Sequence, residues 1–220
     1  MKKTMRVGKA VLLMLCMCML GLTACGEKTG ESTAESTEPA ATSISLKKDG
    51  SISDRIVEDF GESYYDENGL KSMIETSIAE YKAENASAQI TLKSCKVSDG
   101  IANVLMEYGD YKAYAGYNGE DFFVGTIQGA NMEGFDLNVT LNSVSDKNEK
   151  TSISKPELLG MGENHIVILE APDYGETQEP ETIRVECFDE ILYVGEGVTA
   201  VGKKSADVKL SNGFGMIVFK

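Results

Sequence analysis

The last third of the chain most constrains its fold. "ELLGMGENHIVILEA", "ETIRVECF", "EILYVGEGVTAV", "ADVKLS" and "GMIVFK" succeed one another, each a short apolar run set off by Gly, Asn or Asp. Runs of this length read as strands joined by tight turns. "SISLKKDGSIS" sets Ile44 and Leu46 at period two, then Lys48-Asp49-Gly50-Ser51, then Ile52, which predicts a hairpin turning on Asp-Gly. "QITLKSCKVSDGIANVLMEYGD" predicts a second hairpin turning at Ser98-Asp99-Gly100, with Ala102, Val104, Met106 and Tyr108 alternating on its second arm. "FFVGTI" reads as a buried strand, and Leu137, Val139 and Leu141 alternate in "DLNVTLNSVSD".

One segment breaks the pattern. Leu70, Met73, Ile74, Ser77, Ile78 and Tyr81 recur at helical spacing, with Lys71, Glu75, Glu80 and Lys82 off the stripe. This predicts an amphipathic helix over about 68–84, capped by Asp66 or Asn68. "DYKAYAGYNGE" suggests a second, short helix started by Asp110. The expected class is α+β: mostly antiparallel sheet, one clear amphipathic helix and a β-rich C-terminal third.

The start of the chain is built differently. Lys2, Lys3, Arg6 and Lys9 precede the apolar run "AVLLMLCMCMLGL", residues 10–22, which Leu22-Thr23-Ala24-Cys25 closes. A basic start, a short apolar core and a small-residue exit form a secretory signal. Thirteen helical residues reach only about 20 Å, short of the roughly 30 Å hydrocarbon core, so no mature transmembrane anchor is expected from this segment. Leu22-Thr23-Ala24-Cys25 resembles the lipobox of bacterial lipoproteins. That resemblance implies removal of residues 1–24 and a diacylglyceryl lipid on Cys25. It places the protein on the extracytoplasmic face of the cell membrane. Two acyl chains anchor stably, since each buried CH₂ contributes about 0.8 kcal/mol. With the Ser/Thr/Glu-rich segment that follows and the "KKDGSI" opening strand, the chain is similar to surface lipoproteins of Gram-positive anaerobes, a group that implies no particular activity.

"GEKTGESTAESTEPAATS", residues 26–43, has no apolar residue larger than Ala. It buries too little surface to offset ordering, so 25–43 reads as a flexible tether with a reach of roughly 25 Å. Residues 44–220 are then an α+β extracytoplasmic domain, with a sub-boundary near 150–156 where "SDKNEKTSISKP" turns polar and ends in Pro. The whole chain has 21 Lys and Arg against 35 Asp and Glu, and the signal holds four of those cations and no acid. Removing it leaves a charge near −18, which argues against a nucleic-acid partner and against adhesion to anionic headgroups.

Candidate chemistry is sparse. No G-x-G-x-x-G between strand and helix, no P-loop, no G-x-S-x-G elbow and no H-E-x-x-H is found. Cys95 and Cys187 remain once Cys16 and Cys18 leave with the signal. Outside the membrane such a pair suits a disulfide if their strands come within about 7 Å; otherwise both are small buried hydrophobes. His165, the one histidine, heads a strand after a turn, a place more typical of a solvated side chain than of a metal ligand. Asp54, Glu58, Asp59, Glu62, Asp66 and Glu67 crowd fourteen residues, either as a solvated acidic edge or as carboxylates for acid–base work. Tyr111, Tyr114 and Tyr117 recur at threes on the short helix. Turned outward they suit sugar rings or a partner protein; turned inward they cover the sheet. The composition therefore favours a non-enzymatic binding or interaction module without a cofactor beyond the lipid, engaging a protein, a wall component or a small ligand. The competing reading is a carboxylate-dependent hydrolase of cell-wall or sugar substrates.

Overall fold

A computed structural model describes residues 41–62, 65–145, 152–171 and 180–220. The signal, Cys25 and most of the tether lie outside these residues.

The opening hairpin forms as its turn residues predict. Strand β1 (Ser43–Leu46) pairs antiparallel with β2 (Ile52–Asp59), and the Asp49 carboxylate accepts the Ser51 N–H and hydroxyl across the turn. Helix α1 (Glu67–Glu84) follows, with Asp66 accepting the Gly69 N–H as its N-cap. Its apolar stripe packs inward through Leu70 and Ile78. β3 (Ile90–Ser98) and β4 (Ile101–Tyr108) form the second hairpin. Its two turn residues, Asp99 and Gly100, have φ of 52° and 74°. Positive φ at both is what a type I′ turn needs, and Asp-Gly tolerates it.

Asp110 caps α2 (Tyr111–Asn118), which runs into β5 (Phe122–Thr126). The chain then departs from the sequence reading. Thr126 caps a helix, α3 (Ile127–Glu133), and the expected strand through Leu137 and Val139 shrinks to β6 (Leu141–Ser143). Leu137 and Leu141 are fully buried while Val139 is exposed, so an irregular chain carries the apolar alternation. After β7 (Ser152–Ile153), "KPELLG" is a helix, α4 (Lys155–Gly160), instead of part of a strand. The Glu157 carboxylate accepts the Ser154 N–H and hydroxyl, which caps the helix just before Lys155, with Pro156 in its first turn. Then come β8 (His165–Glu170), β9 (Ile183–Glu186), β10 (Ile191–Val194), β11 (Val198–Ala200), β12 (Ser205–Val208) and β13 (Phe214–Phe219).

The strands make two sheets, ordered β11-β12-β9-β1-β2-β4-β3 and β5-β8-β13-β10-β6-β7. Among the described residues every strand pairing is antiparallel except β1 with β9, so the architecture is α+β with a β-rich C-terminal region, and it has four helices where one or two were expected. The two sheets share one apolar core. Ile44, Ile52 and Val104 enter it from the seven-stranded sheet, and Val167, Leu169, Ile217 and Phe219 from the six-stranded one. Ile166, Ile168, Met216 and Val218 alternate to the opposite face and pack with Ile127, Ala130 and Leu158 of α3 and α4. The six-stranded sheet is thus covered on both faces, which explains the continuous apolar runs of β8 and β13. The seven-stranded sheet turns its other face outward.

Candidate functional site

The outward face of the seven-stranded sheet carries an open groove lined mainly by polar side chains. In β1, "SISL" sends Ile44 and Leu46 to the core and Ser43 and Ser45 out. In β9, "IRVE" buries Ile183 and Val185 and turns out Arg184 and Glu186. In β2, Ile52 and Asp54 point inward, so Ser53 and Arg55 point out. Register then assembles two rows. Arg184 lies beside Ser43, and Ser43 beside Arg55; one step along, Glu186 lies beside Ser45, and Ser45 beside Ser53. These residues, with Lys47, Leu105 and Ala41, line an open groove of about 500 Å³.

Neighbouring strands hold these side chains in place. Arg184 donates from Nε and Nη2 to the two Asp207 carboxylate oxygens at 2.7 and 3.1 Å. That pairing raises its pKa further above the ordinary guanidinium value, chiefly through the hydrogen bond to Asp207. Arg55 Nη1 donates to Asn103 Oδ1 at 2.8 Å. Ser45 donates its hydroxyl to Glu186 Oε2 at 2.6 Å. Lys47 and Lys93 grip the two oxygens of Glu107 at 2.7 and 2.8 Å, holding that carboxyl down at about 2. The Arg184 side chain still keeps 42% of its surface exposed, so its remaining N–H groups reach solvent.

Glu186 is the carboxylate lining the groove, and a two-carboxylate hydrolase needs a second about 5–9.5 Å away. Asp207 stands diagonal to Glu186 across β12 and β9, with both oxygens taken by Arg184. Glu107 lies in the same row as Glu186, beyond Ser45 and Ser53. Three strand spacings put their Cα atoms about 14 Å apart. The acids from Asp54 to Glu67 are dispersed. Asp54 is fully buried in the shared core, flanked along the sheet by Ile44 and Met106. Asp59 accepts the Gly61 N–H, Asp66 caps α1, and Glu67 accepts the Val97 N–H.

Tyr114 and Tyr117 are buried and belong to the core. Tyr114 packs on Phe122 with centroids 4.5 Å apart, and the Tyr117 hydroxyl donates to Ser77. Neither reaches the outer surface. Tyr111 is half-buried at the core's edge and donates its hydroxyl to Glu133. A disulfide between Cys95 and Cys187 is not formed, and both are free thiols. Cys95 lies in β3 and Cys187 directly follows β9; β1, β2 and β4 stand between those strands, a gap of about 19 Å that no disulfide spans. Burial pushes the Cys187 thiol up to about 12, and it raises Cys95 too. His165 packs its ring against Phe188 and Phe219 at 4.9 and 5.3 Å. Among the described residues no group of three or more His, Cys, Asp or Glu is placed to hold a metal ion, and no helix is long and apolar enough to cross a membrane.

Sequence reading missed the groove because its polar positions resemble any solvated sheet face. A signal was present: Ser43, Ser45, Ser53 and Arg55 keep period two across the "KDGS" turn. No protein-family model matches the chain, and no curated protein or solved structure matches it.

Proposed function

We propose that this chain is a lipid-anchored extracytoplasmic module that binds, without catalysis, through the groove of its seven-stranded sheet. Residues 1–24 leave as the signal, Cys25 carries the diacylglyceryl group, and residues 26–43 tether the domain to the cell membrane. The ligand is a wall component, a partner protein or a small molecule. One observation carries the reading. The groove's polar side chains are held by cross-strand partners, an arrangement that presents fixed donors at low entropic cost. Ala41 lines the same groove, so the tether enters the fold beside it.

Two measurements test this proposal. Cys25→Ala protein is expected in the soluble fraction while the parent fractionates with membranes; an unchanged distribution would refute the anchor. For binding, fragments of a wall digest are titrated against the purified protein and against Ser45→Trp, whose indole fills the groove. Binding lost in Ser45→Trp, with an unchanged circular dichroism spectrum, supports the reading. Equal binding by both proteins places the ligand elsewhere and overturns it.

A further inference from the structure

The geometry points to a ligand that carries an oxyanion, phosphate or carboxylate, on a hydroxyl-bearing scaffold. This rests on the groove being the binding face, and adds what the groove selects. Charge is the first argument. The chain has a formal net charge of −14, yet this groove is lined by Lys47, Arg55 and Arg184 with Glu186, while the Asp207 and Glu107 carboxylates that pair with Arg184 and Lys47 stand outside the lining. The groove is thus close to neutral within an acidic molecule, so a small anion meets little repulsion there, while the surrounding field repels an extended polyanion.

Geometry is the second argument. Arg184 and Arg55 flank Ser43 in one row across β9, β1 and β2, so their Cα atoms stand about 10 Å apart with a hydroxyl between them. Each guanidinium has five N–H donors. Asp207 takes donors from Nε and Nη2 of Arg184, and Asn103 takes one from Nη1 of Arg55, so each keeps others for a ligand. The forks are held before the ligand arrives, and planar forks suit the two-oxygen edge of carboxylate or phosphate. The next row supplies the scaffold's partners. Glu186 accepts from a ligand hydroxyl, Ser45, whose O–H is given to Glu186, accepts, and Ser53 donates or accepts. Leu105 and Ala41 are the apolar lining, too little for a hydrophobic ligand. A cavity of about 500 Å³ takes a ligand of small-molecule size.

The test titrates the purified protein with glycerol 1-phosphate, glucuronate and, as neutral counterparts, glycerol and glucose, following heat and amide chemical shifts. One or both anions bind and the neutral compounds do not; the stronger anion identifies phosphate or carboxylate as the preferred source. Arg55→Gln and Arg184→Gln each weaken that anion by roughly tenfold or more, with the fold intact by circular dichroism. Perturbed shifts cluster on β1, β2 and β9. Equal binding of glucose and glucuronate, undiminished binding by both arginine variants, or no binding by either anion overturns the inference. If the digest still binds and Ser45→Trp still abolishes it, the binding reading stands and only its anionic selectivity falls.

Discussion

Gly116 shows how closely single residues are matched here. A Cβ on Gly116 would overlap the Tyr81 hydroxyl from α1, with the ring's Cζ next at 3.3 Å. The Tyr81 and Tyr117 rings meet edge to face at 5.6 Å, so Tyr81 has little room to withdraw. Gly116→Ala is therefore expected to destabilise the protein by about 1–3 kcal/mol in urea unfolding. Adding Tyr81→Phe removes the overlapping oxygen and should restore most of that loss. An alanine variant as stable as the parent would show that α1 and α2 slide freely past each other. Asp54 teaches the opposite lesson about single residues. Its charge at a core-facing position hid the continuation of β2 beyond Ile52, because an inward carboxylate breaks the apolar alternation by which strands are recognised.

Elements were legible where one period ran without interruption. The α1 stripe, the two Asp-Gly hairpins and the short C-terminal strands all formed where the spacing placed them. Failures fell where an apolar run changed role. Ile127 continues the run of β5 yet opens α3, and the chain about Leu137 buries apolar residues without strand pairing. For α4 the capping signature Ser154-Lys155-Pro156-Glu157 was present, and only the neighbouring β8 run obscured it. The groove was not legible, because it depends on β9 lying parallel to β1 across more than a hundred residues, a pairing no local pattern encodes. The edge of the same sheet is also a long-range product. α1 runs antiparallel to β3, spanning about 22 Å from Glu67 to Lys82 against about 23 Å from Ile90 to Val97. Glu67 accepts the Val97 N–H at one end, and Lys82 donates to the Ile90 carbonyl at the other. These contacts occupy edge groups that would otherwise invite another strand. Glu67→Ala is expected to speed Val97 amide exchange and cost about 0.5–1.5 kcal/mol. Unchanged protection at Val97 would show that the helix body alone covers the edge.

Across the whole molecule, the shared core couples both sheets through tyrosines. Tyr108 from β4 meets Tyr114 of α2 edge to face at 5.1 Å, and Tyr114 packs on Phe122 at the start of β5. Burial holds the Tyr108 and Tyr114 phenols well above their ordinary value near 10, and the nearby Asp54 charge adds to both. Burial raises Tyr117 as well, against a smaller opposing effect of its hydrogen bond to Ser77. Below pH 10 these phenols are protonated in the folded and unfolded chains alike, so their contribution is fully present. As pH rises past 10 the unfolded chain releases protons that the folded chain retains, and stability falls by about 1.4 kcal/mol per pH unit for each such tyrosine. The two fully buried phenols alone give about 2.7 kcal/mol per unit, a large share of the stability of an ordinary domain. Between pH 10 and 12 the protein is therefore expected to unfold in one cooperative step. Tyrosinate absorbance near 295 nm and loss of β-sheet circular dichroism should coincide, because ionising the core tyrosines requires the sheets to part. Tyrosinate signal from all nine tyrosines with the sheet spectrum intact would mean that the two sheets are not joined through this core.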